Sequence, residues 1–148
     1  MATDTISKNK KNRLMKNKPL LPELTTEERN IMLPTLVRAL KLRTSDARHI
    51  KGPKLIEWFR ANKEQIGYKA SFNNARLMKL INHIRVNGIL PLCSTNDGYW
   101  ITRDPAVIRE MIESFENRVA SQQAAIQGLK NQLNEIEMEG EFGLFEML

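Results

Sequence analysis

The chain has 148 residues, of which 41% are hydrophobic and 27% are charged, and its formal net charge is +6. This length accommodates one domain with appendages, and no apolar run approaches the roughly 18 residues that span a membrane. The N-terminus lacks the apolar segment of a signal peptide, and the single cysteine, Cys93, forms no internal disulfide, so we expect a cytoplasmic protein.

The two ends of the chain differ in charge. Residues 1 to 103 hold 20 Lys and Arg against 8 Asp and Glu, a net charge of +12, whereas residues 104 to 148 hold 3 against 9, a net charge of −6. Clustered cations bind nucleic acid because they release its condensed counterions. The asymmetry therefore predicts a basic body that binds a polyanion and an acidic tail with another partner, the alternative being a solubilising surface.

Residues 1 to 24 are expected to be a disordered basic arm and linker, because they offer little apolar surface to bury. The positive side chains of this arm are Lys8, Lys10, Lys11, Arg13, Lys16 and Lys18. The arm either lies along DNA phosphates or is a plain solvated terminus, and the sequence favours neither.

Two proline signals place the first helices. Thr25 and Glu28 have capping-box spacing and predict a short helix that ends near Leu33, since Pro34 disfavours α conformation in the residue before it. Pro34 then opens a second helix. Its apolar face consists of Leu33, Leu36, Val37 and Leu40.

The next elements are a short extended segment and a third helix. Residues 48 to 51 are short enough for a small strand or an extended entry, Pro53 opens the helix, and Gly67 follows its end. Trp58 of this helix is expected in the hydrophobic core of the domain, and stacking on a nucleic-acid base is the alternative.

Residues 73 to 102 predict a helix followed by a hairpin. The helix has an apolar stripe of Leu77, Leu80, Ile81 and Ile84. Two short strand-like runs, 90 to 94 and 99 to 102, flank a Thr-Asn-Asp-Gly turn, where Asn, Asp and Gly tolerate positive φ. The predicted fold class is mainly α with a small β-hairpin wing (α+β): a winged helix-turn-helix domain over residues 25 to 103.

The stretch from Ile81 to Ile101 resembles the helix-to-wing segment of small winged-helix proteins common in bacteriophages and their hosts. The matching positions are Ile81, Asn82, Arg85, Gly88, Pro91, Cys93, Ser94, Gly98 and Tyr99. The resemblance spans about residues 33 to 118 and implies a DNA-binding architecture. This chain departs from the pattern in carrying Ile89-Leu90 before Pro91 and a long loop after the second helix.

The helix of this segment carries the candidate base contacts. Arg76 and Lys79 can reach guanine O6 and N7, and Asn73, Asn74 and Asn82 can pair with adenine N6 and N7. Arg76 and Lys79, in the early turns, are expected to be the principal base readers. Further DNA contacts are expected from His83, Arg85, Thr95, Asn96 and Arg103, with bracing of the fold as the alternative for Arg85.

The sequence shows no catalytic or metal-binding pattern. His49, His83 and Cys93 lack zinc-ligand spacing, and neither paired carboxylates, a nucleophile–base pair nor a glycine-rich phosphate loop is recognisable. We therefore expect a non-enzymatic protein without a metal or cofactor.

Asp104 and Pro105 begin a long helix, predicted over residues 104 to 138, with a heptad seam. The seam residues are Ile112, Val119, Ile126 and Leu133 at position a, and Ile108, Phe115, Gln122, Leu129 and Ile136 at position d. β-branched residues at a favour a parallel pair, but Phe115 and Gln122 at d weaken that inference, so the orientation stays open. A homodimer is expected, with a helix folded back on its own domain as the alternative.

Residues 139 to 148 combine acidic and apolar side chains, and Gly140 and Gly143 are expected to break the helix. The candidate anchors for a protein partner are Phe142, Leu144, Phe145 and Leu148. Residues 141 to 145 loosely resemble the clamp-binding peptides of bacterial replication proteins. A frayed end is the alternative.

These features predict a double-stranded DNA-binding protein, a dimeric transcriptional regulator of the phage type in a bacterial cell. One alternative is a replication or assembly adaptor that binds DNA through the wing domain and recruits a protein, for example a sliding clamp, through its tail. A second alternative is a module that binds protein only.

Overall fold

A computed structural model describes residues 22 to 146, with side chains described up to residue 140 except that of Asp46. The chain is mainly helical, with one small antiparallel hairpin and a long C-terminal helix. It divides into two compact units between Arg103 and Asp104. Elements of the first unit are a π-helical turn Glu28–Met32, α1 Leu33–Lys41, a 3-10 turn Asp46–Arg48, α2 Gly52–Ala61, α3 Lys63–Ile66, α4 Asn74–Val86, β1 Leu92–Thr95 and β2 Gly98–Ile101.

The first helical segment is continuous, so the predicted end near Leu33 is wrong. Both Met32 and Leu33 adopt right-handed helical angles, and the Leu33 N–H donates to Glu28 O, five residues back. The wider π-helical turn accommodates the missing N–H of Pro34. Thr35 Oγ1 also donates to Ile31 O at 2.8 Å.

Helices α2 and α3 differ from expectation in two ways. The helix is interrupted at Asn62, whose φ of −108° and ψ of 19° are not helical, although Gly67 ends α3 as predicted with a left-handed φ of 92°. Trp58 is 42% exposed, which overturns its expected place in the core. Leu55 and Phe59 of α2 point inward instead.

The core lies under α4. The predicted stripe of Leu77, Leu80, Ile81 and Ile84 is confirmed, because all four side chains are fully buried. Phe59 of α2 stacks on Phe72 in the loop before α4, with ring centroids 4.0 Å apart. This cluster also includes Met32, Leu36, Leu40, Leu55, Tyr68 and Leu92. Full burial of each such side chain stabilises the unit by about 1.5–3 kcal/mol.

The hairpin is confirmed, with strands that pair Leu92 with Ile101 and Thr95 with Gly98. Its turn differs from expectation, since no described residue other than glycine has positive φ, whereas Gly98 has a φ of 146°. Ile50 adds a third extended segment: its N–H donates to Tyr99 O at 2.9 Å, and its carbonyl accepts from Tyr99 N at 2.8 Å. Of the residues expected to be extended before α2, Arg48 is in the 3-10 turn.

The second unit contains one helix, α5 Pro105–Glu146. Its predicted start is confirmed, because Asp104 Oδ1 accepts from the N–H of Ala106 at 3.0 Å. The predicted break at Gly140 and Gly143 is wrong: the helix passes through both, and neither has the positive φ that ends many helices. The anchors Phe142, Leu144, Phe145 and Leu148 lie outside the residues whose side chains are described.

In the part of the chain that the structure describes, no helix combines the length and apolarity needed to cross a membrane.

Candidate nucleic-acid interface

Glu28 is a buried carboxylate that joins the first helical segment to α4. It is 1% exposed. Its Oε1 accepts from the Thr25 N–H at 2.8 Å, and the Glu28 N–H donates to Thr25 Oγ1 at 3.2 Å, which confirms the capping box. The same carboxylate accepts from Lys79 Nζ at 2.7 Å and from Arg76 Nε at 3.0 Å. Two cations of α4 thus bind the carboxylate that caps the N-terminus of the first helical segment.

The pKa of Glu28 records this arrangement. Burial alone would raise the pKa, because it penalises the charged carboxylate. Hydrogen bonds from Lys79, from the Thr25 N–H and from Arg76 outweigh burial and lower the pKa from 4.5 to about 2. Glu28 is therefore ionised at neutral pH, and its negative charge holds both cations in place.

Arg76 and Lys79 consequently have structural partners that the sequence did not reveal. Arg76 Nη1 also donates to the carbonyl oxygen of Ser71, so its guanidinium is held on two sides. The side chains of Arg76 and Lys79 are only 21% and 23% exposed. A contact from either residue to a base would compete with its charge-assisted bond to a buried carboxylate.

The three asparagines predicted to pair with adenine differ in whether their side-chain amides are available. Asn73 is the N-cap of α4, and its Oδ1 accepts from the Arg76 N–H at 2.9 Å, so this amide is committed to the helix. Asn74 and Asn82 are exposed. The outward face of α4 additionally carries Met78, which is 39% exposed.

Arg85 holds the hairpin against α4. Its Nε donates to Leu92 O at 3.2 Å, and its Nη2 donates to Ser94 Oγ at 2.8 Å, so both bonds end on β1. This geometry supports the bracing alternative for Arg85. The hairpin tip remains open, because Thr95 and Asn96 are exposed.

Two lysines that the sequence analysis did not single out flank the start of α2. Lys51 and Lys54 are both exposed. A Cβ added at Gly52, which lies between them, would be in ordinary van der Waals contact with the Tyr99 ring at 3.7 Å. Tyr99 Oη in turn lies 3.8 Å from Met78 Sδ. The first turn of α2 therefore borders both the hairpin and α4. The feature of the sequence that could have identified these two lysines is the Lys-Gly-Pro-Lys run at a helix start.

The other predicted DNA contacts are more dispersed. Arg103 is exposed at the end of the first unit, and His83 is half-buried on α4. The arm residues Lys8, Lys10, Lys11 and Arg13 lie outside the described residues, so their proposed contacts stay predictions.

We define the helix–hairpin face as seven exposed residues on α4, at the start of α2 and at the hairpin tip. Its members are Lys51, Lys54, Asn74, Met78, Asn82, Thr95 and Asn96. A B-DNA major groove admits an α-helix, an Asn amide can pair with adenine, and exposed lysines neutralise phosphates. The face therefore combines side chains suited to bases with side chains suited to the backbone.

Among the described residues, no group of three His, Cys, Asp or Glu side chains could hold a metal ion. In comparisons with known proteins, no family model, no curated protein and no solved structure matches this chain.

Proposed function

We propose that the protein is a non-enzymatic double-stranded DNA-binding protein, acting as a dimeric transcriptional regulator of the phage type with a winged helix-turn-helix domain. The observation that carries this proposal is the helix–hairpin face: an exposed helix lies beside a hairpin and two lysines, within a unit whose sequence has a net charge of +12. Helix α4 would enter the major groove, and the hairpin would lie against adjacent backbone.

The roles of individual residues follow from their environments. Asn74 and Asn82 are proposed to contact bases, because their amides are exposed on α4. Lys51 and Lys54 are proposed to contact phosphates. Arg76 and Lys79 remain predicted base readers, and their base contacts would compete with their bonds to Glu28.

Salt-dependent DNA binding tests the phosphate contacts. Fluorescence anisotropy with a labelled duplex would be measured from low to physiological salt for the native chain and the Lys51→Ala/Lys54→Ala variant. Loss of two phosphate contacts should flatten the slope of log affinity against log salt by about 1.8. The control is Lys41→Ala, which removes an exposed lysine from α1, an element that contributes nothing to the face. An unchanged slope in the double variant would contradict the role of α2.

Sequence selectivity tests the base contacts. After selection from random duplexes, Asn82→Ala should flatten preference at one position and weaken the preferred site by about 1–3 kcal/mol. Thr26→Ala is a suitable control, because Thr26 is exposed and lies outside the face. If Asn82→Ala weakened preferred and random duplexes equally, α4 would not read the sequence.

A second candidate function is an adaptor that binds DNA and recruits a protein. The observation that favours it is an apolar cleft of about 390 Å³ between α1 and α2, lined by Leu42, Ile50 and Trp58 and bordered by Arg38 and Arg43. Leu42 is 70% exposed and Trp58 42% exposed, and such apolar surface beside cations suits an acidic, apolar peptide.

Two changes separate the candidate functions. Leu42→Glu should leave DNA affinity intact and abolish a protein contact made by the cleft, and deletion of residues 137 to 148 should do the same for a contact made by the tail. Absence of any salt-dependent DNA binding by the native chain would leave only a protein-binding module.

A further inference from the structure

The long helix α5 exposes an apolar seam along most of its length. Ile112, Val119, Ile126 and Leu133 are 49%, 57%, 51% and 54% exposed, and Leu129 and Ile136 are 72% and 61% exposed. Together with Phe115 and Gln122 these residues recur at alternating steps of three and four, which is the pattern of a coiled-coil seam. An apolar stripe of this length requires a partner surface.

We propose that this partner is α5 of a second copy, running antiparallel in the single register that places Ala124 at the two-fold axis. This inference rests on the proposed dimer and deepens it by assigning orientation and register. Charge complementarity along one edge of the seam distinguishes the arrangement from a parallel pair.

The register sets most of the apolar seam residues against apolar residues of the partner. In an antiparallel pair, each position a faces a position d of the partner. With Ala124 at the centre, Ile112 faces the partner's Ile136, and Val119 faces the partner's Leu129. Leu133 faces the partner's Phe115, and Ile126 faces the partner's Gln122.

Position e on one edge of the seam carries alternating charge. From the start of the helix these residues are Arg109, Glu116, Gln123, Lys130 and Glu137. Antiparallel helices bring e against e of the partner, so in this register Arg109 faces the partner's Glu137 and Glu116 faces the partner's Lys130. The two-fold axis repeats each pair. Within the described part of a single chain, none of these four charged residues forms an ion pair with another residue of the same chain.

The parallel alternative forms no such pairs within α5. Parallel helices bring position g against position e of the next heptad in the partner. Those combinations are Met111 with Glu116, Arg118 with Gln123, Ala125 with Lys130, and Gln132 with Glu137. The only opposite charges would be Asp104 and Arg109, but Asp104 precedes the helix and its carboxylate caps Ala106.

The residues at the two-fold axis are also compatible with the register. At the axis, Gln123 faces the partner's Gln123 on one edge of the seam, and Ala125 faces the partner's Ala125 on the other edge. Neither residue is charged. No like charges therefore face each other at the centre, where a symmetric pair cannot avoid self-contact. The antiparallel arrangement places the two Pro105 ends about 57 Å apart, at 1.5 Å per residue, whereas a parallel pair places them about 10 Å apart.

A charge-swap cycle tests the register without any label. Sedimentation equilibrium would give the dimer dissociation constant of the native chain, Glu116→Lys, Lys130→Glu, and the double variant. Each single swap makes two repulsive pairs and should weaken the dimer about tenfold, whereas the double variant restores opposite charges and should regain native affinity. Glu113→Lys, on the outer surface of the same helix, is the matched control. Additive weakening in the double variant would overturn the register.

Spin-label distances test the orientation independently. In a Cys93→Ser background, a label on Glu110→Cys should report about 42 Å between copies if the helices are antiparallel, but below about 25 Å if they are parallel. A label on Ala124→Cys should give a short distance in either arrangement and so controls for dimer formation. A short distance at both positions would overturn the orientation while leaving a dimeric DNA-binding function intact. A monomer at micromolar concentration would overturn the dimer itself, and DNA binding measured on the same sample would show whether that function fails with it.

Discussion

Lys79 Nζ donates to Glu28 Oε1 across 2.7 Å, although 51 positions separate the two residues in the sequence. The bond joins the first turn of the chain's helical part to the second turn of α4, and Arg76 reinforces it from the same helix. A carboxylate that caps one helix therefore also fixes the orientation of another. This linkage can be tested by stability measurements alone.

Glu28→Gln should lower the free energy of unfolding by about 2–3 kcal/mol, because it removes the charged acceptor of two cations at a buried position. Urea denaturation would measure the change. Glu57→Gln, at an exposed position of α2, should alter stability by less than about 0.5 kcal/mol. Equal effects of the two substitutions would show that the Glu28 cluster adds no stability.

Stability should also depend on pH through Glu28. Its pKa is about 2 in the folded chain and 4.5 in the absence of interactions, so its contribution is complete above pH 4.5 and is lost as pH falls toward 2. The difference corresponds to about 3 kcal/mol. Denaturation curves of the native chain and of Glu28→Gln should converge over this acid range. Parallel pH profiles would contradict the lowered pKa.

Gly98→Ala should destabilise the first unit by more than about 2 kcal/mol. The φ of Gly98 is 146°, and an added Cβ would lie 2.6 Å from Ile50 O, so the substitution combines backbone strain with a clash against the carbonyl that accepts from Tyr99. Gly67→Ala is the matched control, since Gly67 has a φ of 92° but open space around it. Thermal unfolding should show a clearly larger loss for Gly98→Ala than for Gly67→Ala; similar losses would mean that the approach of Ile50 is unimportant.

Deleting residues 1 to 18 should leave the folded unit intact and weaken DNA binding. The deletion removes six positive side chains, all outside the described residues, so the salt dependence of binding should become less steep. Circular dichroism would check the fold and anisotropy the affinity. A native salt slope after the deletion would show that the arm does not contact phosphate.

Removing residues 120 to 148 should convert the dimer to a monomer. The deletion eliminates Ile126, Leu129, Leu133 and Ile136, which form the second half of the exposed seam. Sedimentation velocity at micromolar concentration would compare the truncated and full-length chains. A truncated chain that still dimerises would place the interface outside this seam.

Local sequence patterns determined several elements of this protein. The buried stripe of α4 follows from apolar residues at helical spacing, the start of α5 from Asp104 followed by Pro105, and the capping box from the spacing of Thr25 and Glu28. Each of these features depends only on residues that are close together in the sequence, so the residue order is enough to predict it.

Tertiary structure decided which side chains remain available at the candidate interface. Helical position alone placed Lys79 well away from the buried stripe, but only the packing of the N-terminal segment brought Glu28 within 2.7 Å of its ammonium group. In the same way, Trp58 is a large aromatic residue of the kind expected in a core, yet its side chain is 42% exposed. Its neighbour Phe59 occupies the core instead. A pattern specifies the face of an element on which a residue lies. What that face meets depends on contacts between elements far apart in sequence, where burial, charge pairing and the geometry of packing act together.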